Sequence, residues 1–319
     1  MSKFDNAFSG VGGAQVSTDT VDYASQNKAL VGVFKTQGKA ISRVGIVSGI
    51  IDLGLQKLPD AAIVWNGTSK DEAAEIVKNP NTYFEDGFDQ KTKAACRFKR
   101  WPQKPQQAVA ITVDFPQFKH DWGGDIGEKP IRFLLNGEFT PKGKKPWDAI
   151  VGRTYDLKET TKDFSPKWSL ATNSLLYKLA IATEVCKEGT PFSRGDIGKL
   201  IGKAALFEAR LWLEGTYLQE KITFKGAVPE GMSIPVWDDD MSYFVRFDKE
   251  NEESSIVQLR KAVKNTIKAA LNYEESQLAQ DWDSVMFKAF TPKQDKPPVQ
   301  EYAEEEEQED GVYEDDIPF

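Results

Sequence analysis

The chain has 319 residues, 41 Lys plus Arg against 49 Asp plus Glu, a single His, two Cys and 40% apolar content, enough for a real core in one large domain or two modest ones. No stretch approaches the roughly 18 to 20 uncharged apolar residues of a membrane-spanning helix, and Met1-Ser2-Lys3-Phe4-Asp5 lacks the pattern of a secretory leader, so a cytoplasmic protein without membrane contact is expected. Cys96 and Cys186 give no disulfide framework, and with His120 they fall short of a zinc ligand set, so neither a metal nor another cofactor is implied.

Residues 1–28, small and polar with Gly10, Gly12 and Gly13, read as a flexible arm. From Ile41 to Gly54 the chain is rich in β-branched residues and reads as a long strand, its glycines placed where a barrel strand bends. Further strands are expected over Ala108–Phe115, stopping at Pro116, over Pro130–Leu135, and over the hairpin-like pair Ala204–Leu213 and Tyr217–Val228. Apolar residues at spacings of three and four predict helices within Ser174–Lys187, Ser254–Tyr273 and Glu274–Phe290. Pro292, Pro297 and Pro298 then end regular structure.

Together these predict a mainly β, α+β chain. Residues 29–250 are expected to form an oligonucleotide-binding (OB) type barrel with an insertion over 66–107, followed by a helical segment over 251–290 that packs on the barrel or mediates homo-oligomer formation. The tail, 291–319, is different in kind. Glu301 to Phe319 holds ten acidic residues and no Lys or Arg, which leaves the rest of the chain at about +2. Such a run repels itself, buries no apolar area and is expected to be disordered.

Catalytic motifs are missing: no phosphate loop ending in Lys-Ser or Lys-Thr, no paired-His helix, no Gly-x-Ser-x-Gly elbow. The dense acid group Asp238-Asp239-Asp240 leaves a metal-dependent nuclease as the alternative from another class, although catalytic carboxylates usually come from separate strands. Binding has more behind it. Arg97, Lys99 and Arg100 alternate with Phe98 and Trp101 in an acid-free run from Lys91 to Lys104, and the mixture recurs at Lys119 with Trp122 and at Lys144, Lys145 and Trp147. Cations for phosphates beside flat rings for unstacked bases are what a single strand needs. Each indole has a competing use in half-buried packing. With Arg43 these eleven residues are the expected DNA contacts.

The chain ends in Asp315-Asp316-Ile317-Pro318-Phe319, an apolar anchor and a free carboxylate beside negative charge, suited to a partner pocket lined by apolar residues and edged with cations. This end resembles the tip of bacterial single-stranded DNA-binding proteins, which recruits replication, recombination and repair enzymes and is thought to compete with DNA for the barrel. The body resembles tailed-phage single-stranded DNA-binding proteins with an OB core, through Ile51-Asp52-Leu53-Gly54-Leu55-Gln56, Val109 to Pro116, Leu200-Ile201-Gly202-Lys203-Ala204 and Val228-Pro229-Glu230-Gly231. The insertion from Asn66 to Gln107 departs from that family. The resemblance implies a non-enzymatic, sequence-independent binder of single-stranded DNA in the host cytoplasm, with replication proteins recruited by the tip. A protein-binding adaptor without DNA affinity is the further alternative.

Overall fold

The computed structural model describes residues 23–35, 39–122, 127–135 and 155–290. In chain order these form α1 (Tyr23–Phe34), β1 (Ile41–Gln56), β2 (Ala61–Trp65), α2 (Ser69–Lys78), β3 (Tyr83–Asp89), β4 (Ala94–Trp101), β5 (Gln106–Asp121), β6 (Glu128–Leu134), β7 (Tyr155–Asp156), β8 (Glu159–Thr160), β9 (Ser169–Leu170), α3 (Leu175–Ala182), β10 (Ala204–Glu214), β11 (Tyr217–Gly226), β12 (Tyr243–Val245), α4 (Glu253–Val257), α5 (Lys261–Lys268) and α6 (Gln277–Phe290). Two 3-10 turns lie at Arg194–Leu200 and Asp239–Met241. No described helix is long and apolar enough to cross a membrane.

The principal sheet runs β11-β10-β1-β5-β6, with β12 added parallel to β1 and β7 added to β5. Its central strands are buried on both faces, which is why they read as continuous apolar runs. On β5, Val109, Ile111, Val113 and Phe115 pack with Phe34, Phe133, Phe207 and Leu179 in one core, while Ala108 and Ala110 join Ile51, Leu53 and Leu134 beneath α4, α5 and α6 in a second. The expected strand bend is present as register shifts in β1 at Val47/Gly49 and Asp52/Leu55. Gly49 is there to admit a ring: a Cβ on it would stand 2.4 Å from the Tyr243 side chain.

The sheet does not close into the expected barrel. Among the described residues β11 and β6 form the two edges and share no backbone ladder. A closed seam needs the backbone groups of both edge strands in register, and here side chains occupy that place. The Glu220 carboxylate of β11 accepts a hydrogen bond from Leu134 N at 3.3 Å, and Arg260 donates both to Glu220, at 2.6 Å, and to the carbonyl of Arg132.

Other expectations shift in detail. Residues 23–34, partly inside the expected arm, are helical, and Leu30 and Phe34 are buried against the sheet. β5 runs through Pro116, which falls in the irregular stretch between Phe115 and Lys119 where its missing N–H breaks no pairing with β6. The helix predicted from Ser254 to Tyr273 is two helices, because Arg260 leaves helical geometry (φ −66°, ψ 147°) to reach Glu220.

Candidate nucleic-acid interface

The expected insertion folds together with the strand before it, Ala61–Trp65, into a small unit, a β2-β4-β3 sheet carrying α2. The basic run expected in a loop is its central strand. Strand alternation puts Arg97, Lys99 and Trp101 on one face of β4 and Phe98 and Arg100 on the other. Thr68 and Asp71 cap α2 reciprocally and direct Glu72 and Glu75 toward the first face. Glu72 takes Arg97 at 2.9 Å and Glu75 takes Lys99, while Asp86 meets Arg97 from the other side at 3.1 Å. These two carboxylates raise the Arg97 pKa above its ordinary value. Lys99 also lies 5.7 Å from the centre of the Trp101 ring. On the opposite face Arg100 pairs with Glu85 and lies 5.5 Å from the Phe98 ring, which crosses above Gly87. The cations read as phosphate contacts are thus each matched by a carboxylate of their own unit. Between residues 61 and 101 no apolar side chain is buried, and Ile63 and Phe88 stand about half exposed, at 47% and 51%.

The second group gathers at the far end of β5. Lys119 is exposed and 3.6 Å from Glu128, and Trp122 meets the His120 ring edge-on at 4.8 Å. Burial lowers the His120 pKa and favours its neutral form. Arg43 is exposed, 6.0 Å from the Phe118 ring, which packs on Phe34. The insertion leaves the sheet at Gln56 and Gln106, so β5 itself, roughly 50 Å if straight, separates that junction from Trp122. The structure therefore places Lys119 and Trp122 at the same end of β5, away from the end where the Arg97–Trp101 unit is attached.

Trp122 opens onto a cavity of about 320 Å³ that the sequence did not reveal, lined also by Lys129, Pro130, Arg132, Tyr243 and Gln258. Arg132 is its organising residue. Its guanidinium grips Asp114 with two hydrogen bonds, of 2.7 and 2.9 Å, donates to Gln258 Oε1 at 2.6 Å, and lies 4.8 Å from the centre of the Tyr243 ring. Asp114, itself 1% exposed, also accepts from Ser48 at 2.7 Å, and Thr112 links Ser48 to the Tyr243 hydroxyl. Burial by itself would lower the Arg132 pKa, but Asp114 and Tyr243 outweigh it and hold the group charged. A signal was readable: Arg132 is a lone cation inside the apolar run Pro130 to Leu135.

Lys144, Lys145, Trp147 and the tip Asp315, Asp316, Ile317, Pro318 and Phe319 lie outside the described residues. Asp238, Asp239 and Asp240 are exposed around a 3-10 turn, and among the described residues no group of three or more His, Cys, Asp or Glu side chains is arranged to hold a metal ion. Comparison with protein families, curated proteins and solved structures gives no match to this chain.

Proposed function

We propose that this chain is a non-enzymatic, sequence-independent single-stranded DNA-binding protein of phage type, whose acidic C-terminal tip recruits proteins of replication, recombination and repair. The observation that carries the reading is the end of the β5–β6 face, where a charged Arg132 lies over Tyr243 beside Trp122 and exposed Lys129 at an open cavity. Ring surfaces for bases line this cavity, and Lys129 stands exposed at its mouth for a phosphate. The sheet order supports the same reading. Counting β1, β5, β6, β10 and β11 as first to fifth, the third and fifth strands meet at a seam bridged by side chains, which agrees with a partly open five-stranded OB barrel. In that fold the second and third strands, here β5 and β6, carry oligonucleotides.

Fluorescence anisotropy of labelled oligo(dT), at low and raised salt, tests the reading. Wild-type protein is expected to bind and to weaken with salt. Trp122→Ala should lose about tenfold in affinity, the loss of one stacked base, whereas Arg97→Ala, already ion-paired, should change it little. An absence of binding at low salt rules the proposal out.

A further inference from the structure

The cavity joining the β5–β6 face to β12 and α4 has a more specific use. We infer that it holds one unstacked nucleobase bearing carbonyl oxygens, thymine being the best match, an inference that rests on the single-stranded DNA reading. Its volume of about 320 Å³ lies at the lower end of the range for small-molecule sites, roughly 300 to 1,000 Å³. Two thirds of its lining residues come from the chain after β11, between Asp240 and Arg260, so it is more than an exposed strand surface.

Charge decides what enters. Lys129, Arg132 and Arg260 on the lining are balanced by Asp114, Asp240 and Glu252, and Arg132 and Arg260 are already engaged by Asp114 and Glu220. No surplus positive charge remains inside to draw in a phosphate. A neutral flat group fits, with Trp122 and Tyr243 as ring surfaces and exposed Lys129 at the mouth for the flanking backbone.

Hydrogen-bonding capacity then decides which base. The inner acceptors are occupied: both Asp114 oxygens by Arg132, and Gln258 Oε1 by Arg132 as well. Gln258 Nε2 is turned away to the Ser254 carbonyl. Donors remain. Of its five N–H groups Arg132 gives three to Asp114 and Gln258 and one to the Tyr243 side chain, which leaves one, and Ser242 Oγ accepts from Trp237 Nε1 at 2.9 Å, which leaves its hydroxyl hydrogen to donate. The other carboxylates of the lining, Asp240 and Glu252, belong to exposed residues where water competes, and the Ser254 and Ser255 hydroxyls can donate as readily as accept. A donor-rich interior selects carbonyl oxygens over amino groups. Pro130, Met241 and Val257 supply an apolar surface for a thymine methyl.

The test is anisotropy of the full chain with short labelled oligo(dT), oligo(dC) and oligo(dA), alongside Val257→Trp, which fills the cavity from its α4 wall. Wild type is expected to bind oligo(dT) about tenfold more tightly than the other two, and Val257→Trp to lower oligo(dT) to their level while leaving them unchanged. Equal affinities in the wild type, or an unaltered oligo(dT) preference in the variant, overturn the pocket and leave the DNA reading standing; no binding to any of the three removes both. If melting shows the variant unfolded, wild type is titrated with oligo(dC) carrying one central thymine. The single thymine should restore most of the gain, and no gain overturns the inference.

Discussion

Arg260 shows how one residue sets the shape of the sheet. Its side chain and that of Glu220 are 7% and 1% exposed, so the pair is deeply buried, and both reach toward the backbone of β6. Removing one member of a buried pair leaves the other uncompensated, which costs about 3 to 5 kcal/mol. Arg260→Met should therefore destabilise the protein by about that amount in urea unfolding. Glu220→Gln in the same chain should return part of the loss, because a neutral amide is cheaper to bury than an orphan carboxylate. In the sequence Arg260 reads only as one of the cations lying off the apolar stripe of the predicted helix. Its partner lies 40 positions earlier on another element, beyond the reach of any periodicity argument.

Among the elements, those shaped by their own sequence were legible and those shaped by neighbours were not. The strands within 41–56, 106–121 and 204–226 carry enough β-branched and apolar residues to declare themselves. α1 did not, because its apolar face amounts to little more than Leu30 and Phe34, and the helix is held by Phe34 packing on Phe115, Phe118 and Phe133 at 4.9 to 5.4 Å. β4 reads as a charged loop because its partners are carboxylates on α2 and β3. The 3-10 turn at Arg194–Leu200 allows a test at this scale. Lys199, then Ser193, lowers the Asp196 pKa to about 2, and the Asp196 carboxylate accepts from Ser193 Oγ at 2.6 Å. Its folded pKa lies below the ordinary carboxylate value of about 3.9, so this stabilisation is complete above about pH 4 and is lost as the pH falls toward 2. Asp196→Ala should lower stability at pH 7 by on the order of 1 kcal/mol, as removal of a cap does. The gap between variant and wild type in thermal unfolding should shrink between pH 4 and 2; a gap independent of pH would refute the assignment.

At the scale of the whole molecule the chain has two electrical parts. Removing Glu301 to Phe319 takes away ten acidic residues and changes the formal net charge from −8 to about +2. On the proposed reading the tail competes with DNA for the basic surface, so the truncated chain should bind oligo(dT) more tightly at low salt, with the difference fading as the Debye length falls below about 10 Å. Equal affinity of the two chains at low salt would exclude that competition.

The sequence alone determined the mixed, mainly β class, most of the principal strands and the division between a near-neutral body and an acidic end, because each depends on residue types over short windows. Which cations are committed to which carboxylates, and which of them lie beside a ring, was decided by tertiary structure. Arg97, Lys99 and Arg100 looked available until α2 and β3 supplied their carboxylates, and Arg132 looked like an interruption in a strand until Tyr243 and Asp114 were placed against it. The reason is physical: whether a charge is exposed, paired or stacked is set by the groups within a few ångströms of it, and in this protein most of those come from distant parts of the chain.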